Sequence, residues 1–93
     1  MDINSEKVFP AQVVAGRGLL GWTQAELSER ALVSISTVKK FESGGQITKA
    51  NRAALIGAFD TFLVFVPGGV VRERNWLEFT EYLGTITVDK DRE

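Results

Sequence analysis

TQAELSERALVSISTVKKFESGG, residues 23–45, places two helix starts, one tight turn and one helix stop in a single short stretch. Thr23 has the side-chain oxygen that an N-cap needs, and Glu26 three positions on completes a T-x-x-E capping box, so a helix is predicted over 24–31. Leu32-Val33 forms a turn, and Ser34 caps a second helix over 35–42. Ser43-Gly44-Gly45 stops that helix, with Gly44 suited to the left-handed position just past its end. Leu27 and Ala31 lie one turn apart on the first helix, and Val38 and Phe41 are the matching apolar positions on the second. Val33 plugs the turn, and Ser28 is small where the helices cross. Ile35, Ser36, Lys39 and Lys40 are left on the outward side of the second helix.

Upstream, Pro10 suits the first position of a helix continuing through AQVVAGRGLL, with Val13, Val14 and Leu20 available for one face. Phe9 would then be a chemically poor N-cap, and Gly21-Trp22 breaks the helix. Downstream, Thr48 caps a helix KANRAALIGAF whose Leu55, Ile56 and Phe59 share a face. The period then changes. FLVFV (62–66) and VVRER (70–74) flank Pro67-Gly68-Gly69, which reads as two strands and a turn. Leu63 and Phe65 face one way and Phe62, Val64 and Val66 the other, so that strand needs cover on both sides. RNWLEFTEYLG (74–84) reads as a further helix with Trp76, Phe79 and Leu83 at i, i+3 and i+7, stopped by Gly84, and TITV (85–88) as a short strand.

The expected fold is therefore mainly α: a four-helix bundle containing the helix-turn-helix, with a C-terminal β-hairpin and an additional short helix. Residues 1–9 are expected to be a flexible N-terminus, 10–61 the helical domain, and 62–93 a C-terminal extension.

Composition narrows the function. Ninety-three residues leave no room for a separate catalytic domain. The absence of cysteine and histidine removes thiolate chemistry, the usual neutral-pH acid–base and the commonest metal ligands. No nucleophile–base pair or metal set is visible, so neither enzymatic activity nor a cofactor is expected. MDINSEKVFP does not read as a signal peptide and no apolar run approaches ~20 residues, so the expectation is a soluble cytoplasmic chain with no membrane association. The net charge of −1 weighs against a nucleic-acid partner, but it is unevenly spread. Residues 1–60 hold seven Lys/Arg against six Asp/Glu, and residues 61–93 hold four against six. An outward, core-free helix of this kind suits a DNA major groove, with the preceding helix spanning the backbone.

The run RGLLGWTQAELSERALVSISTVKKFESG (17–44) resembles the Cro/repressor-type, or XRE, helix-turn-helix family, over roughly residues 11–60. The likeness rests on coupled features: LGWTQ, the Leu27-x-x-x-Ala31 pair, the V-S turn, Thr37-Val38 and the F-E-S-G close. It implies a lambda-repressor-like fold and double-stranded DNA as partner. It further implies that Gln24, at the positive end of its helix, bonds a phosphate, and that Ile35, Ser36, Thr37, Lys39 and Lys40 contact bases. The alternative for these residues is a solvated basic face. Arg17 and Glu42 take the positions of an ion pair tying the first helix to the end of the third, with Arg17 also near enough to face a phosphate. Lys49 and Arg52, beside the Gly44-Gly45-Gln46 loop, suit backbone phosphates or an ordinary solvated face. One departure stands out: Leu32 occupies the turn position where the family usually has glycine.

A single unit contacts few base pairs, so the resemblance implies a homodimer on an inverted repeat. Phe65, Trp76, Phe79, Tyr82 and Leu83 are the candidate interface, unless Trp76 and Phe79 cover the strands within one chain. The reading that follows is a repressor or autoregulatory switch. The alternative is an antitoxin or anti-activator gripping another protein through its tail.

Overall fold

The computed structural model describes residues 5–72 of the chain. The elements run in order through a single 3-10 turn at Ser5–Lys7, α1 (Pro10–Leu20), α2 (Gln24–Ala31), α3 (Ile35–Glu42), α4 (Lys49–Gly57), β1 (Leu63–Val66) and β2 (Gly69–Arg72). The additional helix expected over 74–84 and the strand over 85–88 lie outside the described residues.

The first three helices end by one device. In each, a residue one or two positions past the helix takes a left-handed conformation, and two backbone N–H groups fold back onto the last turn. At α1 this residue is Gly21 (φ 69°), with Trp22 N–H donating to Arg17 O and Gly21 N–H to Gly18 O. At α3 it is Gly44 (φ 93°), with Gly45 N–H donating to Lys40 O and Gly44 N–H to Phe41 O. At α2 it is Leu32 (φ 58°), with Val33 N–H donating to Ser28 O and Leu32 N–H to Glu29 O. The helix-turn-helix corner is thus the same closure as its neighbours, built on a leucine. Leu32 is 91% exposed and recovers nothing by packing.

Helix starts follow the caps read from the sequence. Thr23 Oγ1 accepts from Glu26 N–H, Ser34 Oγ from Thr37 N–H, and Thr48 Oγ1 from Asn51 N–H. The Phe9 side chain cannot accept, so the Gln12 N–H donates to the Phe9 carbonyl at 2.9 Å, and the Gln12 side chain returns a bond, accepting from Phe9 N–H at 2.7 Å.

The core comprises Val8, Val13, Leu27, Ala31, Val38, Phe41, Leu55, Phe59, Leu63 and Phe65. It draws on all four helices and β1. Gly16 lets α1 approach closely, since a Cβ there would sit 2.9 Å from Leu63 Cδ1 and 3.2 Å from Phe59 Cε1. Trp22 stacks on Phe59 (5.3 Å between centroids), meets Phe62 edge-on (5.4 Å) and carries the Arg30 guanidinium over its face at 4.3 Å.

β1 and β2 pair antiparallel, Leu63 with Arg72 through Val66 with Gly69. Proline at 67 excludes the mirror-image hairpin turns, and Gly68 supplies the positive φ (74°) that a type II turn requires. Gln12, 5% exposed, clamps the hairpin to α1: Nε2 donates to Val66 O (2.7 Å) and Gly69 O (2.8 Å).

Val8, inside the segment expected to be a flexible N-terminus, is 1% exposed in the core beneath the Ser5–Lys7 turn. Leu63 and Phe65 of β1, at the start of the expected C-terminal extension, complete the core of the helices.

Candidate nucleic-acid interface

α3 meets its packing duty with Val38 and Phe41, both fully buried. α2 meets its own with Leu27, Ser28 and Ala31, and the Ser28 hydroxyl donates to Ala25 O at 2.7 Å, so a polar residue is accommodated at the crossing. The exposed side chains of α3 line its outer face: Ile35 (40% exposed), Ser36, Lys39 and Lys40. Neither lysine is paired with a carboxylate among the described residues.

The polar residues at the start of α3 form one small network. Ser34 Oγ lies 3.0 Å from Ser36 Oγ and 2.9 Å from Thr37 Oγ1 while capping the helix. Ser36 is exposed, whereas Thr37 is half-buried with its hydroxyl engaged. Lys40 is set apart from Lys39. Its stem lies against Gly45, where a Cβ would come 2.6 Å from Lys40 Cγ, which directs it toward the α3–α4 loop. There Thr37 and Lys40 share a shallow groove with Gln46, Ile47, Thr48 and Asn51. Gln46 and Asn51 were not singled out by sequence reasoning. The two-glycine stop and the Thr48 cap were the only signals that the loop would return them beside α3.

Gln24, Arg17 and Glu42 converge where α1, α2 and α3 meet. Arg17 grips Glu42 in a two-pronged pair, Nε to Oε2 at 2.7 Å and Nη2 to Oε1 at 2.8 Å, and its Nη1 donates to Trp22 O at 3.0 Å. The arginine side chain is 18% exposed and the glutamate 6%. The bond to Glu42 raises the Arg17 pKa above its ordinary value against the opposing effect of burial. Gln24 Nε2 donates to Glu42 Oε1 at 3.0 Å. At the start of α2, Thr23 N–H donates to Glu26 Oε1 at 3.0 Å, and this backbone bond, with the Thr23 hydroxyl's contribution, lowers the Glu26 pKa.

The other expected phosphate ligands are engaged with the N-terminal turn. Lys49 Nζ lies 3.1 Å from Glu6 Oε1 in a strongly exposed pair. Arg52 Nη1 donates to Glu6 O at 3.1 Å, and its guanidinium lies 5.1 Å from the Phe41 ring centre. Phe65, expected at a dimer interface, is instead 4% exposed and meets Phe59 edge-on at 5.5 Å. The inward face of β1 carries it into the core of its own chain. Trp76, Phe79, Tyr82 and Leu83 lie outside the described residues.

No described helix is long and apolar enough to cross a membrane. Residues 15–60 match the family model described as Helix-turn-helix. No curated protein and no solved structure matches the chain. The matched span runs from within α1 through α4, taking in all three side-chain-capped helices, the Leu32 turn and the Arg17–Glu42 pair, and through it the chain belongs to the Cro/repressor-type (XRE) helix-turn-helix family of DNA-binding regulators.

Proposed function

We propose that the chain is a sequence-specific transcriptional repressor, acting in the cytoplasm as a homodimer on an inverted-repeat operator. The carrying observation is the outer face of α3, where Ile35, Ser36, Lys39 and Lys40 stand exposed because Val38 and Phe41 carry the helix's apolar packing on the opposite side. In this reading α3 enters the major groove. Lys39 donates to guanine O6 or N7, Ser36 pairs with a base edge, and Ile35 covers a thymine methyl. Lys40 and Thr37 lie toward the groove edge. Gln24 takes a phosphate at the positive end of α2, and Lys49 and Arg52 take phosphates on the far side of α3. Arg17 acts mainly through Glu42. Residues beyond the hairpin supply the contact between protomers, and the gene's own promoter is the expected target.

Gel shifts on the DNA upstream of the protein's own gene test this reading. Specific retardation is expected, with a footprint of two half-sites about one helical turn, ~10 base pairs, apart. Lys39→Ala or Ser36→Ala should abolish it while leaving the circular dichroism spectrum unchanged. Absence of retardation even at low salt sinks the reading.

The exposed Leu32 favours a second possibility, an antitoxin or anti-activator that docks another protein. Loss of partner capture in Leu32→Gly, with DNA binding intact, would distinguish it.

A further inference from the structure

The Arg17–Glu42 pair ties α1 to α3 and through Glu42 also reaches Gln24 on α2, a third member with a consequence for DNA contact. An ionised carboxylate only accepts hydrogen bonds, so Glu42 admits one of the two orientations of the Gln24 amide: NH2 toward Glu42 Oε1, carbonyl away. One N–H is consumed at 3.0 Å and the second is left. Glu42 itself is 6% exposed and doubly bonded by Arg17, so it moves little and its charge is compensated before any phosphate approaches. Gln24 therefore stands at the start of α2 with its long side chain held in place.

We propose that Glu42 is a positioning residue for DNA binding, fixing the Gln24 amide so that its remaining N–H meets a backbone phosphate. The proposal rests on the reading of Gln24 as a phosphate contact. Its advantage is pre-organisation: a free glutamine loses most of its rotamer freedom on binding, and here that loss is already met in the folded chain. The expected size is about tenfold in affinity.

A double-mutant cycle on the full chain tests it, using a mixed-sequence duplex of about two helical turns, ~20 base pairs, at low salt. Glu42→Gln keeps the side-chain length but offers either end of an amide to Gln24. Gln24→Met keeps the stem and removes both the bond to Glu42 and the phosphate donor. Glu42→Gln should weaken binding about tenfold in the parent and less than about twofold in the Gln24→Met background. Freeing Arg17 alters the charge equally in both backgrounds and cancels from the comparison. Equal losses in the two backgrounds would mean a merely structural pair and overturn the proposal. Unchanged binding by Gln24→Met would overturn the phosphate reading of Gln24 and the proposal with it. Should Glu42→Gln fail to fold, the parent's Gln24 side-chain amide still decides the matter by NMR. One proton should move on adding the duplex while the proton bound to Glu42 stays; two protons that both remain unmoved would refute the positioning role.

Discussion

Leu32 shows how much a single backbone torsion costs when nothing repays it. A left-handed leucine is strained by on the order of 1 kcal/mol relative to glycine, and at 91% exposure it buries no compensating surface. Leu32→Gly should therefore raise stability by up to about 1 kcal/mol, or roughly 4–8 °C in Tm for a domain of this size, read by thermal unfolding. Glu26 gives a residue-level prediction in pH. Its pKa is lowered in the folded chain from the ordinary 4.5, so the folded state favours the ionised form. The associated stability is present above that ordinary value and is lost as pH falls through the lowered one. Below about pH 4.5 the parent should lose stability more steeply than Glu26→Gln, which still completes the capping box but does not titrate. Denaturant melts across pH 2–6 would show parallel curves if the capping bond is not pH-linked.

At the scale of elements, what could be read in advance was local. Thr23, Ser34 and Thr48 announce helix starts because a cap bonds within three residues of itself, and Gly21 and Gly44 announce stops for the same reason. The apolar spacing of Leu27, Ala31, Val38 and Phe41 carried the corner, and all four are buried. What escaped was set by partners distant in sequence. Gln12 reads as a polar residue on a helix surface, yet it is buried because two hairpin carbonyls need a donor. Lys49 and Arg52 read as open cations until the N-terminal turn brings Glu6 beside them. Phe65 could face either way on an apolar strand, and only the approach of β1 to α1 at Gly16 decides the side. Gln12→Ala tests the clamp directly. It removes the donor that joins α1 to Val66 O and Gly69 O and the acceptor of the Phe9 N–H, at about 0.5–1.5 kcal/mol for each bond lost. The loss should register as earlier hydrogen exchange in β1 and β2 than in α2 and α3. Uniform loss of protection would show that the hairpin and the helices open as one unit.

For the whole molecule, charge and core divide differently along the chain. Residues 5–72 hold eight Lys/Arg against five Asp/Glu, while residues 73–93 hold three against six. The near-neutral total thus conceals a basic unit that contains the entire described core, from Val8 to Phe65. Truncation after Arg72 should keep a cooperative melt, raise affinity for mixed-sequence DNA by removing a net negative tail, and abolish dimerisation. Anisotropy titrations and sedimentation measure the last two, and an unchanged sedimentation mass would relocate the contact between protomers to residues 1–72.

The Gln12 clamp also bears on time. Its bond to Gly69 joins residues 57 positions apart, whereas Gln24 and Glu42 are separated by 18. Longer loops cost more entropy to close, so the helical corner is expected to assemble first and the hairpin to dock after the main barrier is crossed. Loosening a late contact leaves the folding rate almost unchanged and speeds unfolding, by about tenfold for each 1.4 kcal/mol lost. In a stopped-flow chevron, Gln12→Ala should shift only the unfolding arm. A residue remote from α3 would then govern how long each folded copy persists and, on the proposed function, the interval over which a bound site stays occupied without new synthesis.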